Sequence, residues 1–129
     1  MISPHNIPGT HDRLMEHGGV LANAEANCLV LYAPFDCKLD AILFIPDGAM
    51  SHHDSNYCVL DVIVNDVSLL DEPFSFNDSY GDLDALEELV LDCNETELDA
   101  GDIVILEVTQ ESSGLAISRF NTVALFKAR

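Results

Sequence analysis

The amino-acid sequence predicts an all-β protein: an antiparallel β-sandwich, jelly-roll-like, led by an extended N-terminal arm and holding at most one short helix. Three observations carry that expectation. From Asn27 to the C-terminus, short runs rich in Val, Ile, Leu and Phe follow one another, which is the texture of strands. Turn signals separate them at Pro34, at Pro46-Asp47-Gly48, at Asn65-Asp66 and at Ser112-Ser113-Gly114, the last read as a polar hairpin connection. Hydrophobic residues make up 48% of the 129 residues, enough for one domain to bury a core despite a net charge of −18.

The first 26 residues differ from the rest. Pro4, Pro8, Gly9, Gly18 and Gly19 interrupt them, and they hold His5, His11 and His17. Proline removes a backbone donor and biases its neighbour to extended conformations, and a glycine pair stops any helix begun at residues 13–17. Residues 1–26 are therefore expected to be an arm, and 27–129 the sandwich domain.

Within the domain, residues 28–33 form the first run, stopped by Pro34. Residues 39–45 form the second, stopped by Pro46. Residues 57–64 alternate, with Val59, Asp61 and Ile63 opposite Leu60, Val62 and Val64. Residues 68–76 are irregular, and Pro73 demotes them to an edge or loop. Leu83, Leu86, Leu89 and Val90 fall at i, i+3, i+6 and i+7, a helical stripe preceded by Asp82 as a cap. A short helix over 82–89 feeding a strand at 90–93 is expected there. Residues 103–109 and 120–126 complete the set, the last with Phe120, Thr122, Ala124 and Phe126 on one face.

Charge narrows the function. There are 23 acidic side chains against 5 basic ones. Nucleic-acid binders need a basic footprint, and anionic membranes repel acid, so neither partner is expected. No Lys or Arg occurs from Leu39 to Ser118, and that stretch holds every acid except Asp12, Glu16, Glu25 and Asp36. The basic residues Arg13, Lys38, Arg119, Lys127 and Arg129 cluster near the arm and the last strand. This predicts a polarised molecule whose few cations mark a docking face. The expected partner-binding residues are Ile2, Ile7, Arg13, Leu14, Met15, Arg119, Lys127 and Arg129.

Motifs for chemistry are weak. No nucleophile elbow, P-loop, dinucleotide fingerprint or HExxH occurs. Asp78, Asp82 and Asp84 are hard oxygen donors, but the EF-hand template would place Phe76 at its first ligand position. His52 and His53 are adjacent, so on an extended chain they point to opposite sides. A cupin-like site needs strand histidines, and the runs above contain none. Cys28, Cys37, Cys58 and Cys93 form no CxxC pair and are expected as free thiols. No metal, cofactor or catalytic residue is expected. The N-terminus has no basic and apolar leader, which predicts synthesis in a cytosol.

Two passages carry a family likeness: LYAPFDCKLDAILFIP at residues 31–46, and LDAGDIVILEV at 98–108 followed by a polar turn and a closing strand. Together they resemble small β-sandwich proteins of tailed bacteriophages, the capsid decoration (cement) and head-fibre proteins. The AGD step is also similar to tumour-necrosis-factor-type jelly rolls. The resemblance implies a non-enzymatic virion protein, made in the host cytoplasm. It would sit on the capsid exterior as a homotrimer or other small cluster, bound to the major capsid protein lattice. The other reading is a carbohydrate-binding fibre or head-fibre module, with calcium as a candidate ligand.

Overall fold

A computed structural model describes residues 10–77 and 82–129. Among the described residues nine strands follow in order: β1 Thr10–His17, β2 Ala26–Tyr32, β3 Cys37–Pro46, β4 Tyr57–Val64, β5 Val67–Ser68, β6 Phe74–Ser75, β7 Leu89–Leu98, β8 Ile103–Glu111 and β9 Phe120–Ala128. All pairing is antiparallel. One sheet has the order β1-β9-β3-β7 and the other β2-β8-β4-β5, with β6 also on β4. The pairs β1·β9, β2·β8, β3·β7 and β4·β5 are nested one inside the next, and successive long strands alternate between sheets. That nesting is the jelly-roll arrangement.

Period-two alternation builds the core. On β9, Phe120, Thr122, Ala124 and Phe126 are buried, and Asn121, Val123 and Leu125 face outward. The opposite sheet answers with Cys58, Leu60, Val62 and Val64 of β4 and Val104, Leu106 and Val108 of β8. Phe44 packs between Phe120 and Phe76, with ring centroids 4.9 Å and 6.2 Å away. Two bulges break the alternation. A register shift between Leu29 and Leu31 buries both Val30 and Leu31. Another between Leu39 and Ala41 returns Ile42 to the core and leaves Ala41 in register with Leu125 and Asp92 on the outer face, and opposite it Asn94 and Glu95 take left-handed φ of 60° and 50°.

Three expectations change. No helix occurs among the described residues. Over 82–89, Leu83 makes a two-way backbone bridge with Met50, and a turn at Ala85 and Leu86 follows. The apparent helical stripe is a strand pattern in disguise: Leu83, Leu89 and Leu91 are buried, whereas Leu86 and Val90 are exposed. Second, residues 10–17 of the expected arm form β1, an edge strand paired along its whole length with β9. This places His11 and His17 in a strand, where none was expected to hold histidine. Third, the polar turn at 112–114 is a crossover between sheets, because β8 and β9 lie in different ones. The gap from β1 to β2 is closed by Val20, which bridges Ile117 in both directions.

Candidate functional site

The two sheets differ in charge. Arg13 lies on β1, Lys38 on β3 and Lys127 on β9, and Arg119 and Arg129 flank β9 directly. All five cations of the chain thus belong to or adjoin the four-stranded sheet. The strands of the other sheet contain no Lys or Arg at all.

Cross-strand register organises the outer face of the four-stranded sheet. Leu14 lies opposite Val123, Val123 opposite Leu43, and Leu43 opposite Val90. One aliphatic row therefore crosses all four strands, with its ends, Leu14 and Val90, 61% and 58% exposed. The next row reads Asp12, Leu125, Ala41 and Asp92, and another Thr10, Lys127, Lys38 and Glu97. An aliphatic band bordered by mixed charge is the result.

The expected partner-binding residues are distributed as follows. Leu14 sits in the aliphatic row. Arg13 and Met15 lie on the other side of β1, opposite Ala124 and Thr122, at the open margin of the sandwich. Arg119 and Arg129 stand at opposite ends of β9, separated by roughly 30 Å of strand. Arg119 is loosely paired with Asp47 at 3.9 Å. Lys127 binds Glu95, which holds the lysine pKa up and the glutamate pKa down. Arg129 binds Asp99 at 2.9 Å and Asp36 at 3.6 Å and donates to the Leu98 carbonyl at 3.2 Å. Lys127 thus links β9 to β7, and Arg129 ties the segments after β2 and β7 to the end of the sheet. Ile2 and Ile7 lie outside the described residues, as does Asp78.

The histidine and acid clusters hold the loops. Asp82 Oδ1 accepts from the His52 backbone N–H at 3.2 Å and contacts its Nδ1 at 2.8 Å. These bonds keep the Asp82 pKa below the usual range. His53 Nδ1 accepts backbone N–H groups from Ser55 and Asn56 at 3.1 and 2.8 Å. His11 lies edge-on to Phe35 and stacked on Phe126, and His17 stacks on Phe120. Among the described residues no group of three His, Cys, Asp or Glu is placed to hold a metal ion. The four cysteines are free thiols. No helix among the described residues is long and apolar enough to cross a membrane.

No protein-family profile and no curated protein matches the sequence. Among solved structures the chain is similar to part of one from infectious bursal disease virus, Gx strain, with a TM-score of 0.36 and 11% identity. The match covers 94% of this chain and 32% of that one, so this chain spans about a third of its length. It assigns no role.

The sequence pointed to cations and to the apolar residues of the arm. It missed the cross-strand row, because Val123, Leu43 and Val90 become neighbours only through the pairing of β9, β3 and β7. Alternation on each strand shows an outward aliphatic residue, but not its alignment with the next.

Proposed function

We propose that this protein is a non-enzymatic virion structural protein that binds the outer surface of a capsid shell and stabilises it. The jelly roll alone does not choose this reading, since the same fold serves capsids, lectins and cupins. The observation that carries it is the aliphatic row Leu14–Val123–Leu43–Val90, on the sheet that also gathers every cation of the chain. A two-layer sandwich has no internal use for an outward aliphatic band, and covering it with another protein removes that surface from water.

In this reading the four-stranded sheet faces the shell. Leu14 and its row supply buried area, Arg13 and Met15 border the open edge of β1, and Ile2 and Ile7 extend the contact. Arg119, Lys127 and Arg129 set the register against acidic groups of the major capsid protein. An eight-residue edge strand is also a ready template for pairing with a further strand. A trimer, as the phage resemblance implies, would bring several such contacts to one lattice position and raise the effective concentration of each.

The test is addition of the purified protein to shells that lack it. Co-sedimentation with the shells and a higher shell melting temperature are expected. Shells that neither bind the protein nor gain stability overturn the proposal.

A further inference from the structure

The outer face of the five-stranded sheet is a second amphipathic surface, and it points away from the one just discussed. Near one end, Tyr32 lies opposite Ile103, 61% and 52% exposed. The next row joins Leu29, Ile105 and Ile63 across β2, β8 and β4. Beside these five apolar residues runs a polar row, Asn27, Glu107 and Asp61, again in direct register. It borders a shallow cleft lined by Glu25, Ala26, Asn27, Glu107, Val108 and Thr109.

The charge in that row is unusual. Residues directly opposite in an antiparallel pair bring their Cβ atoms to about 4.5–5.5 Å, and like charges so placed oppose folding. Asp61 and Glu107 stand in that relationship. Asp61 is partly compensated by the Ser68 hydroxyl and the Val62 N–H. The sheet itself supplies no lysine or arginine to either residue.

From this face we infer a docking site for a protein surface that presents aliphatic side chains next to lysine or arginine. Aliphatic groups cover Tyr32, Ile103, Leu29, Ile105 and Ile63, and a cation beside them settles between Glu107 and Asp61. Charge complementarity selects this occupant over a second copy of the chain. The same face of a second copy sets carboxylates against carboxylates, and the sheet of a second copy that does carry cations is the one taken up by the shell in the function proposed above. The surface is separate from the proposed shell contact, so it gives the protein a second, outward-facing partner.

The experiment uses the full chain with methyl-labelled Ile, Leu and Val, and two soluble amphipathic peptides, one of leucine and lysine and one of leucine and glutamate. The leucine–lysine peptide is expected to shift the methyls of Leu29, Ile63, Ile103 and Ile105 before those of Leu14, Leu43, Val90 and Val123. Its affinity should fall roughly tenfold in Tyr32→Ser/Ile103→Ser and several-fold in Glu107→Gln. Both variants should keep the parent melting temperature within a few degrees, because these side chains are outside the core. Shifts on the four-stranded sheet, shifts spread over the whole acidic surface, or equal binding of the leucine–glutamate peptide overturn the inference. So does self-association that buries the same methyls, or contact of Ile2 or Ile7 with Tyr32 in the free chain.

Discussion

The ring of His17 lies on the ring of Phe120, with centroids 4.8 Å apart and planes at 22°, and its Nε2 is 2.9 Å from Thr122 Oγ1. Thr122 is the buried polar side chain of the described core. One histidine on the edge strand therefore both covers a core phenylalanine and satisfies a hydroxyl that would otherwise be buried without a partner. Through this contact and the His11 stack on Phe126, β1 is fastened to the sandwich near both of its ends.

Burial lowers the His17 pKa below its ordinary 6.5, and this makes the fastening pH-dependent. Below pH 6.5 the unfolded chain binds a proton at His17 that the folded chain resists, so stability falls as pH drops through that value toward the folded pKa. Above 6.5 both states are neutral and the contribution is complete. The many carboxylates also titrate as pH falls, so the comparison must be differential. The gap in melting temperature between the parent and His17→Phe, which keeps the stack without the titration, should change as pH falls from 7 to about 5.5. A gap independent of pH would show that His17 does not sense protons.

Phe44 is fully buried and touches Phe120 and Phe76, so it joins the inner faces of the four-stranded sheet to the segment after β6. Phe44→Ala should cost about 3–5 kcal/mol, a fall in melting temperature of roughly 10–20 °C. Thermal unfolding followed by circular dichroism measures it. A loss under about 1 kcal/mol would mean that the core collapses around the cavity.

How far this architecture could be read from sequence depends on the element. Runs such as 57–64 and 120–126 are legible because their alternation is local and one face is wholly apolar. β1 is not legible: Thr10–His17 has only Leu14 and Met15 as aliphatic residues, and its inward positions are His11, Arg13, Met15 and His17. Histidine fills a core-facing place there only because Phe126 and Phe120 lie opposite, which no local pattern reveals. The segment 82–89 fails for the opposite reason. Its leucines match a helical period, but the backbone of Leu83 is committed to Met50, far away in sequence. The candidate docking face was half legible: its cations stand out in the sequence, but the aliphatic row requires the register.

Gln110 holds the start of the crossover from β8 to β9, beside Asn56, whose Oδ1 accepts from the Ser113 N–H at 3.1 Å. Gln110 Oε1 accepts from the Leu115 N–H at 2.9 Å, and its Nε2 donates to the Leu115 carbonyl at 3.2 Å and the Leu21 carbonyl at 3.4 Å. Gly114, at φ +71°, leaves room for it: a Cβ there would stand 2.3 Å from Gln110 Oε1. Gly114→Ala should cost about 1–2 kcal/mol from the left-handed backbone alone, and more from displacing the glutamine. Gln110→Ala should cost about 1–3 kcal/mol. The double variant should lose clearly less than the sum, since each change breaks the same clamp. Additivity by denaturant unfolding would refute the shared mechanism.

Thiol reactivity should follow burial. Cys58 and Cys93 are fully buried, and desolvation pushes their pKa values up to about 12. Cys28 is half-buried on edge strand β2. With a thiol reagent at mildly alkaline pH, mass spectrometry should find Cys28 modified first. Cys58 and Cys93 should react only as fast as the domain opens. Early labelling of Cys93 would mean that β7 opens from the sheet more readily than its long pairing with β3 implies.

The outer row on the four-stranded sheet separates binding from folding. Leu14 is 61% and Val90 58% exposed, so neither supports the core. Leu14→Ser/Val90→Ser should leave the melting temperature of the free protein nearly unchanged, since exposed positions without special contacts shift stability by about 0.5 kcal/mol or less. The same variant should bind shells at least roughly tenfold more weakly, because it removes both ends of the aliphatic band that would be buried there. Loss of stability without loss of binding would make the row structural. Full retention of both would move the contact to the β1 edge, where Arg13→Ala/Met15→Ala should then weaken binding instead.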